Sequence, residues 1–386
     1  MPRILYFFAL CNLVIGSSAF VLGGILQPVS QALGVSVAAA GQVMTAYAIA
    51  TAVLAPVLMI WTAKWSRKRT VQFALGLFTF GATMSAMAPT LSVLLMSRVL
   101  MGAGAMFTAL VAGLAVGMVP PAQRGRALSI TFLGMSISYA VGLPIGAWLG
   151  FEYGWRVPVW LCAGASLCAL LAATWLMPDK LVGAGTSFVG FSAVAKQGAV
   201  LRVWLRTLLF FIAIFSVFAY VGPVLLALNP MSSTLLSITL AVFGSAGVVG
   251  TLVGGWANDR FGSLKTIRVQ LTVLTSMMAL LPFTEGRLPL TLATLVTWGI
   301  AGFGLMVPQQ SRLAALSPAQ SPLLLSLNSS MLYLGTALGA IVSGAMLGVV
   351  GFSHLGWIGA PFGMLGLFTL VFDKPVMQPA YIPSTA

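Results

Sequence analysis

The groups able to do acid–base, nucleophilic or metal chemistry in this chain are few enough to name. The carboxylates are Glu152, Asp179, Asp259, Glu285 and Asp373, the thiols are Cys11, Cys162 and Cys168, and the imidazole is His354. No cysteine pair has metal-ligand spacing and one histidine is too few for a cluster, so neither a metal nor a cofactor is expected. No G-x-x-x-x-G-K-[ST], HExxH or G-x-S-x-G pattern occurs, which argues against an enzyme. Two features remain. Arg98 stands alone in the apolar stretch LLMSRVLMGAGA, where a charge is costly and marks a functional position unless it snorkels to an interface. Two basic stretches, MIWTAKWSRKR (59–69) and GWANDRFGSLK (255–265), lie 196 positions apart, and only the second holds an acid.

The elements that must position these residues follow from composition. Of 386 residues, 59% are hydrophobic and 6% charged, against about a quarter charged in a soluble domain. The apolar residues fall into twelve blocks of roughly bilayer-crossing length, near 4–27, 41–62, 70–88, 91–118, 127–149, 156–177, 203–226, 234–256, 266–283, 289–309, 323–349 and 356–372. Two-residue alternation is absent, so a membrane barrel is excluded. Backbone groups in lipid must pair within their own segment, which leaves helices. The expected fold is an all-α polytopic membrane protein with twelve transmembrane helices. The first block is read as a retained helix rather than a cleaved signal, because eleven more follow.

The net charge of +14 is a topology signal rather than a nucleic-acid footprint. With the N-terminus cytoplasmic, sixteen of the nineteen Lys and Arg fall on that side, leaving Arg98, Arg156 and Arg287 elsewhere. Both termini are therefore expected inside, in a cell (plasma or inner) membrane, with the bilayer itself as the chief partner. No nucleic-acid partner is expected, and the chain is read as a monomer. The thiols fall within expected spans and read as small buried apolar groups.

The two basic stretches align at an offset close to half the chain, pairing Ala63 with Asp259 and Lys64 with Arg260. A second echo joins YAVGLPIGAWLG (139–150) to YLGTALGA (333–340), with glycines four apart, a spacing that permits close helix contact. Residues 1–177 are expected to form one six-helix bundle, 178–202 a cytoplasmic linker, and 203–386 a second, pseudo-symmetric bundle with a short tail. Parallel halves suit a transporter that rocks about a central site.

At this point the chain resembles the major facilitator superfamily, and within it the twelve-span drug/proton antiporter group that includes sugar-efflux proteins. The resemblance is carried by GWANDRFG, by RVLMGAGA (98–105), by PPAQRGRAL (120–128), by VGLPIGAWLG, by GWRVPVW (154–160) and by VPQQSRL (307–313). It implies secondary transport, with efflux of a small amphipathic or drug-like compound by alternating access. Lys64, Arg67, Gly255, Asp259, Arg260 and Gly262 then take the place of the family's gating loops, and Gly142, Pro144 and Gly146 that of its fifth-span motif. The family's first loop motif has Asp where this chain has Ala63, and relatives often carry a first-span acid where this chain has Ala19.

All five acids sit at span edges or in loops, whereas proton antiport ordinarily uses a carboxylate inside the membrane. Protons are thus a candidate coupling ion without an obvious carrier. An uncoupled facilitator or exchanger of a neutral or anionic solute stands as the alternative, with a non-transporting relative behind it. Glu152 reads as half of a simple surface pair with Arg156. The substrate pathway is expected to involve Arg98, Asn12, Tyr47, Asn328 and Tyr220, with Tyr333 beside them, in a pocket gripping its ligand by shape.

Overall fold

The computed structural model describes residues 2–120, 123–178, 196–317 and 320–373. Among the described residues, twelve helices are long and apolar enough to cross a membrane: spans 1 to 6 are Ile4–Gly24, Val37–Trp61, Arg67–Met87, Leu91–Gly117, Arg126–Glu152 and Arg156–Leu176, and spans 7 to 12 are Gly198–Phe218, Ser233–Phe261, Ser263–Thr284, Leu288–Leu316, Leu324–Val350 and Leu355–Phe372. The chain is a polytopic membrane protein. We call the side on which span 1 begins the near face, and the other the far face. The core runs along the contact between the first six spans and the last six.

Two pairs of breaks repeat between the halves. Span 1 ends at Ile25 and continues as a short helix, Leu26–Leu33; span 7 does the same at Tyr220 before Val221–Leu228. The backbone angles match, with φ −123° and ψ 27° at Ile25 and φ −119° and ψ 27° at Tyr220. The short helices read LQPVSQAL and VGPVLLAL, sharing P-V-x-x-A-L in register. Spans 4 and 10 break at Ala105 and Leu305, each just after a Gly-x-Gly. The expected segments 4–27 and 203–226 run through the first pair of breaks, because unbroken apolarity conceals a change of helix direction.

Span 5 carries one π turn, Ser138–Gly142, ahead of Pro144. Proline cannot donate to the carbonyl four residues back and its ring crowds that carbonyl; widening the turn relieves both conflicts. The glycines of this span face span 1. A Cβ at Gly134 would meet the Ala9 backbone, at Gly142 the Ser17 side chain, and at Gly146 the Val21 side chain. Gly335 and Gly339 bring span 11 against span 7 in the same way, through Leu208, Phe211, Ile212 and Phe215. The four-residue glycine spacing therefore has a defined partner in each half.

Span 7 begins at Gly198, so the expected linker 178–202 ends earlier than its polarity suggests. Arg202 and Arg206, one helical turn apart, need this extra turn to reach Asp373. Residues 179–195, including Asp179 and Lys180, lie outside the described residues, as does Lys374.

Candidate functional site

Midway across the fold, aromatic side chains from both halves meet. Phe20 of span 1 stacks on Tyr139 of span 5 at 4.8 Å between ring centres, and Tyr139 meets Phe303 of span 10 edge-on at 4.9 Å. Phe218 of span 7 touches Phe20, Tyr139 and Phe243 at 5.9, 6.0 and 5.9 Å. Phe243 in turn packs on Trp298 at 4.9 Å. Such tilted and edge contacts each add about 0.5–1.5 kcal/mol beyond burial. The cluster is a joint between the two six-helix groups, and it joins side chains distant in sequence.

Its members divide by exposure. Phe20, Phe215, Phe218, Phe243 and Trp298 are buried, whereas Tyr139, Phe211, Phe303 and Tyr333 keep partial exposure. Tyr139 and Tyr333 lie within electrostatic reach of each other and of Tyr47. Tyr139, Phe211 and Phe303 each sit thirteen residues from the near end of their span, roughly 20 Å deep. They stand at one depth, beside the buried rings of the joint. The Tyr47 hydroxyl is buried beside them, with the Thr51 side chain one helical turn away.

On the far side of these rings the two halves are fastened together. The Tyr220 hydroxyl donates at 3.3 Å to the carbonyls of Ala38 and Ala340, bridging the start of span 2 and the far half of span 11. Gly222 lies so close to the Gly24 carbonyl that no side chain fits, which holds the two breaks against each other. The Ser233 hydroxyl donates to Glu152, tying the first turn of span 8 to the last turn of span 5. Glu152 is thus a cross-half contact rather than the expected partner of Arg156, whose guanidinium donates to the Ala88 carbonyl at 2.8 Å and lies over Trp155. A carboxylate at the N-terminus of span 8 also meets the positive end of that helix dipole. Spans 5 and 8 pack chiefly through the π turn and the far half of span 5, and lightly through its near half.

Arg98 does not snorkel. It is 1% exposed, donates to the Ser18 carbonyl at 2.8 Å and to the Met101 sulfur at 3.6 Å, and faces the Tyr47 ring at 6.0 Å. It therefore stands behind Tyr47, inside the first half. Asn12 is fully engaged: its amide donates to the Thr131 carbonyl at 2.9 Å and its oxygen accepts from Thr108 at 2.9 Å, bracing spans 1, 4 and 5. Asn328 accepts from Thr207 at 2.7 Å, and Gln309 donates to Thr207 and to the Val203 carbonyl, so the group braces spans 7, 10 and 11 near the near face. Of the residues expected from sequence, Tyr47 and Tyr333 lie close to Tyr139, Tyr220 bridges spans 2 and 11, and Asn12 and Asn328 fasten helices within their own halves.

The near-face loops differ between the halves. Ser66 caps span 3 by accepting from the Arg69 amide at 3.4 Å, with Lys64 exposed and Arg67 half-buried around that helix start. Cations there oppose the helix dipole. In the second half Gly262 fills the same aligned position with φ 78°, a conformation that favours glycine. Gly255 sits half-buried close to Val307. Asp259 accepts from Asn258 at 3.2 Å and Arg260 lies over Phe261; the two make no ion pair with each other.

The strongest near-face electrostatics lie elsewhere. Asp373, at the end of span 12, accepts from Arg206 at 2.6 Å and Arg202 at 3.1 Å, and forms an ion pair with Arg312 at 3.2 Å. Burial pushes its pKa up, but the three guanidinium groups outweigh that and hold it below the usual carboxylate range. Sequence reading missed this cluster because Arg202 and Asp373 are 171 positions apart. The four-residue spacing of Arg202 and Arg206 was its only local sign.

Comparison with known proteins agrees with this geometry. The sequence model of the Major Facilitator Superfamily matches residues 8–321 and 231–385. The chain is 28% identical over 380 residues to the uncharacterized MFS-type transporter YbcL of Bacillus subtilis (strain 168), covering 97% of each. It is 30% identical over 370 residues to the inner membrane transport protein YdhP of Escherichia coli (strain K12), covering 95% of this chain and 94% of that one. Among solved structures, a bacterial homolog of the human lysosomal transporter Spinster, in its inward-facing and unoccupied conformation, superposes with a TM-score of 0.78 at 15% identity, over 96% of this chain and 94% of that chain.

Proposed function

The chain belongs to the major facilitator superfamily, and we propose that it exports a small amphipathic, ring-bearing organic compound across a cell membrane by alternating access. The observation that carries this reading is the set of partly exposed rings at mid-depth, Tyr139, Phe211 and Phe303, with Tyr333 near Tyr139, which come from both halves and would line a midline chamber. Ring faces grip apolar rings with little need for charge, and the tyrosine hydroxyls supply polar handles. The near face is the cytoplasmic one, because the basic residues crowd there. In that orientation the far-side seal faces outward and the chamber is reached from the cytoplasm. Rocking spans 1–6 against spans 7–12 would part Tyr220 from Ala38 and Ser233 from Glu152, and expose the chamber outside.

Coupling to protons has no carboxylate within the chamber to carry it. Glu152, Asp259, Glu285 and Asp373 all stand at span ends or in the turns between spans. That favours exchange or facilitated flux of a neutral or anionic solute over proton antiport. Everted membrane vesicles test both points. A substrate first found by comparing the metabolite and drug tolerance of cells with and without the protein should accumulate in vesicles that contain it. Unchanged flux with an uncoupler excludes proton antiport, and absence of any substrate-dependent flux overturns export.

A further inference from the structure

Arg98 has a second, unexplained side. Its Nε and Nη2 are buried and have no hydrogen-bond partner among the described residues, and the neighbouring Ser18 hydroxyl, buried with them, has only the Cys162 thiol within reach. These three polar atoms belong to residues lining one small void, together with Val21, Ala82, Met101, Val159 and Cys162. The void measures about 10 Å³, room for roughly one water-sized body. It lies among spans 1, 3, 4 and 6, away from the aromatic chamber.

A guanidinium in such a place is expensive unless its charge is balanced, because burial removes its hydration and nothing apolar replaces it. Its partners among the described residues are a carbonyl, a thioether and the Tyr47 ring at 6.0 Å, none of which carries a negative charge. Among the described residues, the carboxylates of Glu152, Asp259, Glu285 and Asp373 lie at span ends or in the turns between spans. A water molecule would fill the donors' geometry but leave the charge unbalanced. A carboxylate, phosphate or sulfate would balance the charge but not fit the volume. We propose that the Arg98–Ser18 void is a binding site for one small monovalent anion of halide size, which serves as the counter-charge of the span-4 arginine. Nε–H and Nη2–H of Arg98 and the Ser18 hydroxyl donate to it, and the flexible Met101 side chain sets how large an ion is admitted. Arg98 lies seven residues from the far end of its span, roughly 10 Å, so an ion entering from that face has a short path.

The test uses the purified full-length chain in detergent, exchanged into sodium gluconate, and thermal unfolding is followed as chloride replaces gluconate at constant ionic strength. Binding to the folded state alone raises the midpoint with a saturable dependence on concentration. Chloride and bromide are expected to raise it, and sulfate to do nothing. Ser18→Ala is expected to weaken the apparent affinity about tenfold, the loss of one hydrogen bond to a charged group, and Arg98→Gln to abolish the response. Equal midpoints in chloride and gluconate for the unaltered chain would overturn the proposal. Should Arg98→Gln fail to fold, crystals grown in bromide decide: an anomalous peak between Arg98 and Ser18 supports the site, and a water-only peak there refutes it. Neither readout requires transport, so failure here leaves the export reading untouched.

Discussion

At the scale of single residues, the chain concentrates its consequences in a few side chains. Asp373 is one: its carboxylate is wholly buried and shared by three arginines. Replacing it by Asn leaves these guanidinium groups without a counter-charge and should cost about 3–5 kcal/mol, the usual penalty for breaking a buried pair. Thermal unfolding in detergent should show a large drop in midpoint. Because the folded-state pKa is lowered, this contribution is fully present above the ordinary carboxylate value of about 4 and is lost as pH falls through the lower folded value. The unaltered chain should lose stability on acidification below that range while Asp373→Asn loses less; parallel acid profiles would remove the carboxylate from the role. Tyr47→Phe tests the chamber's polar handle. It should raise KM for a hydroxyl-accepting substrate by up to about tenfold, one neutral hydrogen bond, with expression unchanged; an unaltered KM would take Tyr47 out of the binding surface. Which residues do these things was only partly legible. Arg98 announced itself as an intramembrane charge, but nothing in its neighbours revealed that it faces a void rather than the chamber. Asn12 and Asn328 looked like lining residues because polarity in a span is visible in sequence, whereas its hydrogen-bond partner is not.

At the scale of elements, the span count and most boundaries followed from apolar length alone, and glycine spacing marked the faces along which spans 5 and 11 pack. The breaks at Ile25 and Tyr220 were not read, although LQPVSQAL and VGPVLLAL repeat one pattern in register. The repeat stands out where charges or regularly spaced glycines mark it, and these two short helices carry neither. The aromatic joint was invisible for a different reason: phenylalanine in a span is ordinary, and only tertiary packing sets apart the few that meet across the midline. Span 5 offers an element-scale test. Pro144→Ala restores a backbone donor and removes the ring, so the π turn can revert to regular α-helix. Transport should slow with folding intact, because that turn forms part of the sliding contact with span 8; a normal rate would make the turn a packing detail. Gly142→Leu should instead prevent spans 1 and 5 from closing on each other and sharply reduce folded protein, seen as aggregation in size-exclusion chromatography.

At the scale of the whole molecule, two six-helix groups meet on an apolar, ring-rich joint and carry their ionic fastenings at the edges. Aromatic contacts tolerate sliding better than buried ion pairs, which lose several kcal/mol when separated, so this placement lets the joint move while each half stays intact. The charge bias of the loops and the echo between the halves are legible in sequence, whereas the contacts that hold the far side together are seen only in the fold. Its far side is held by Tyr220, Gly222 and the Ser233–Glu152 contact. The most direct measurement is transport by a chain in which Glu152→Cys and Ser233→Cys are joined by a short, disulfide-cleavable cross-linker, with the native cysteines replaced. Alternating access through a midline chamber requires flux to vanish on cross-linking and return on reduction. Undiminished flux through the cross-linked protein would contradict it.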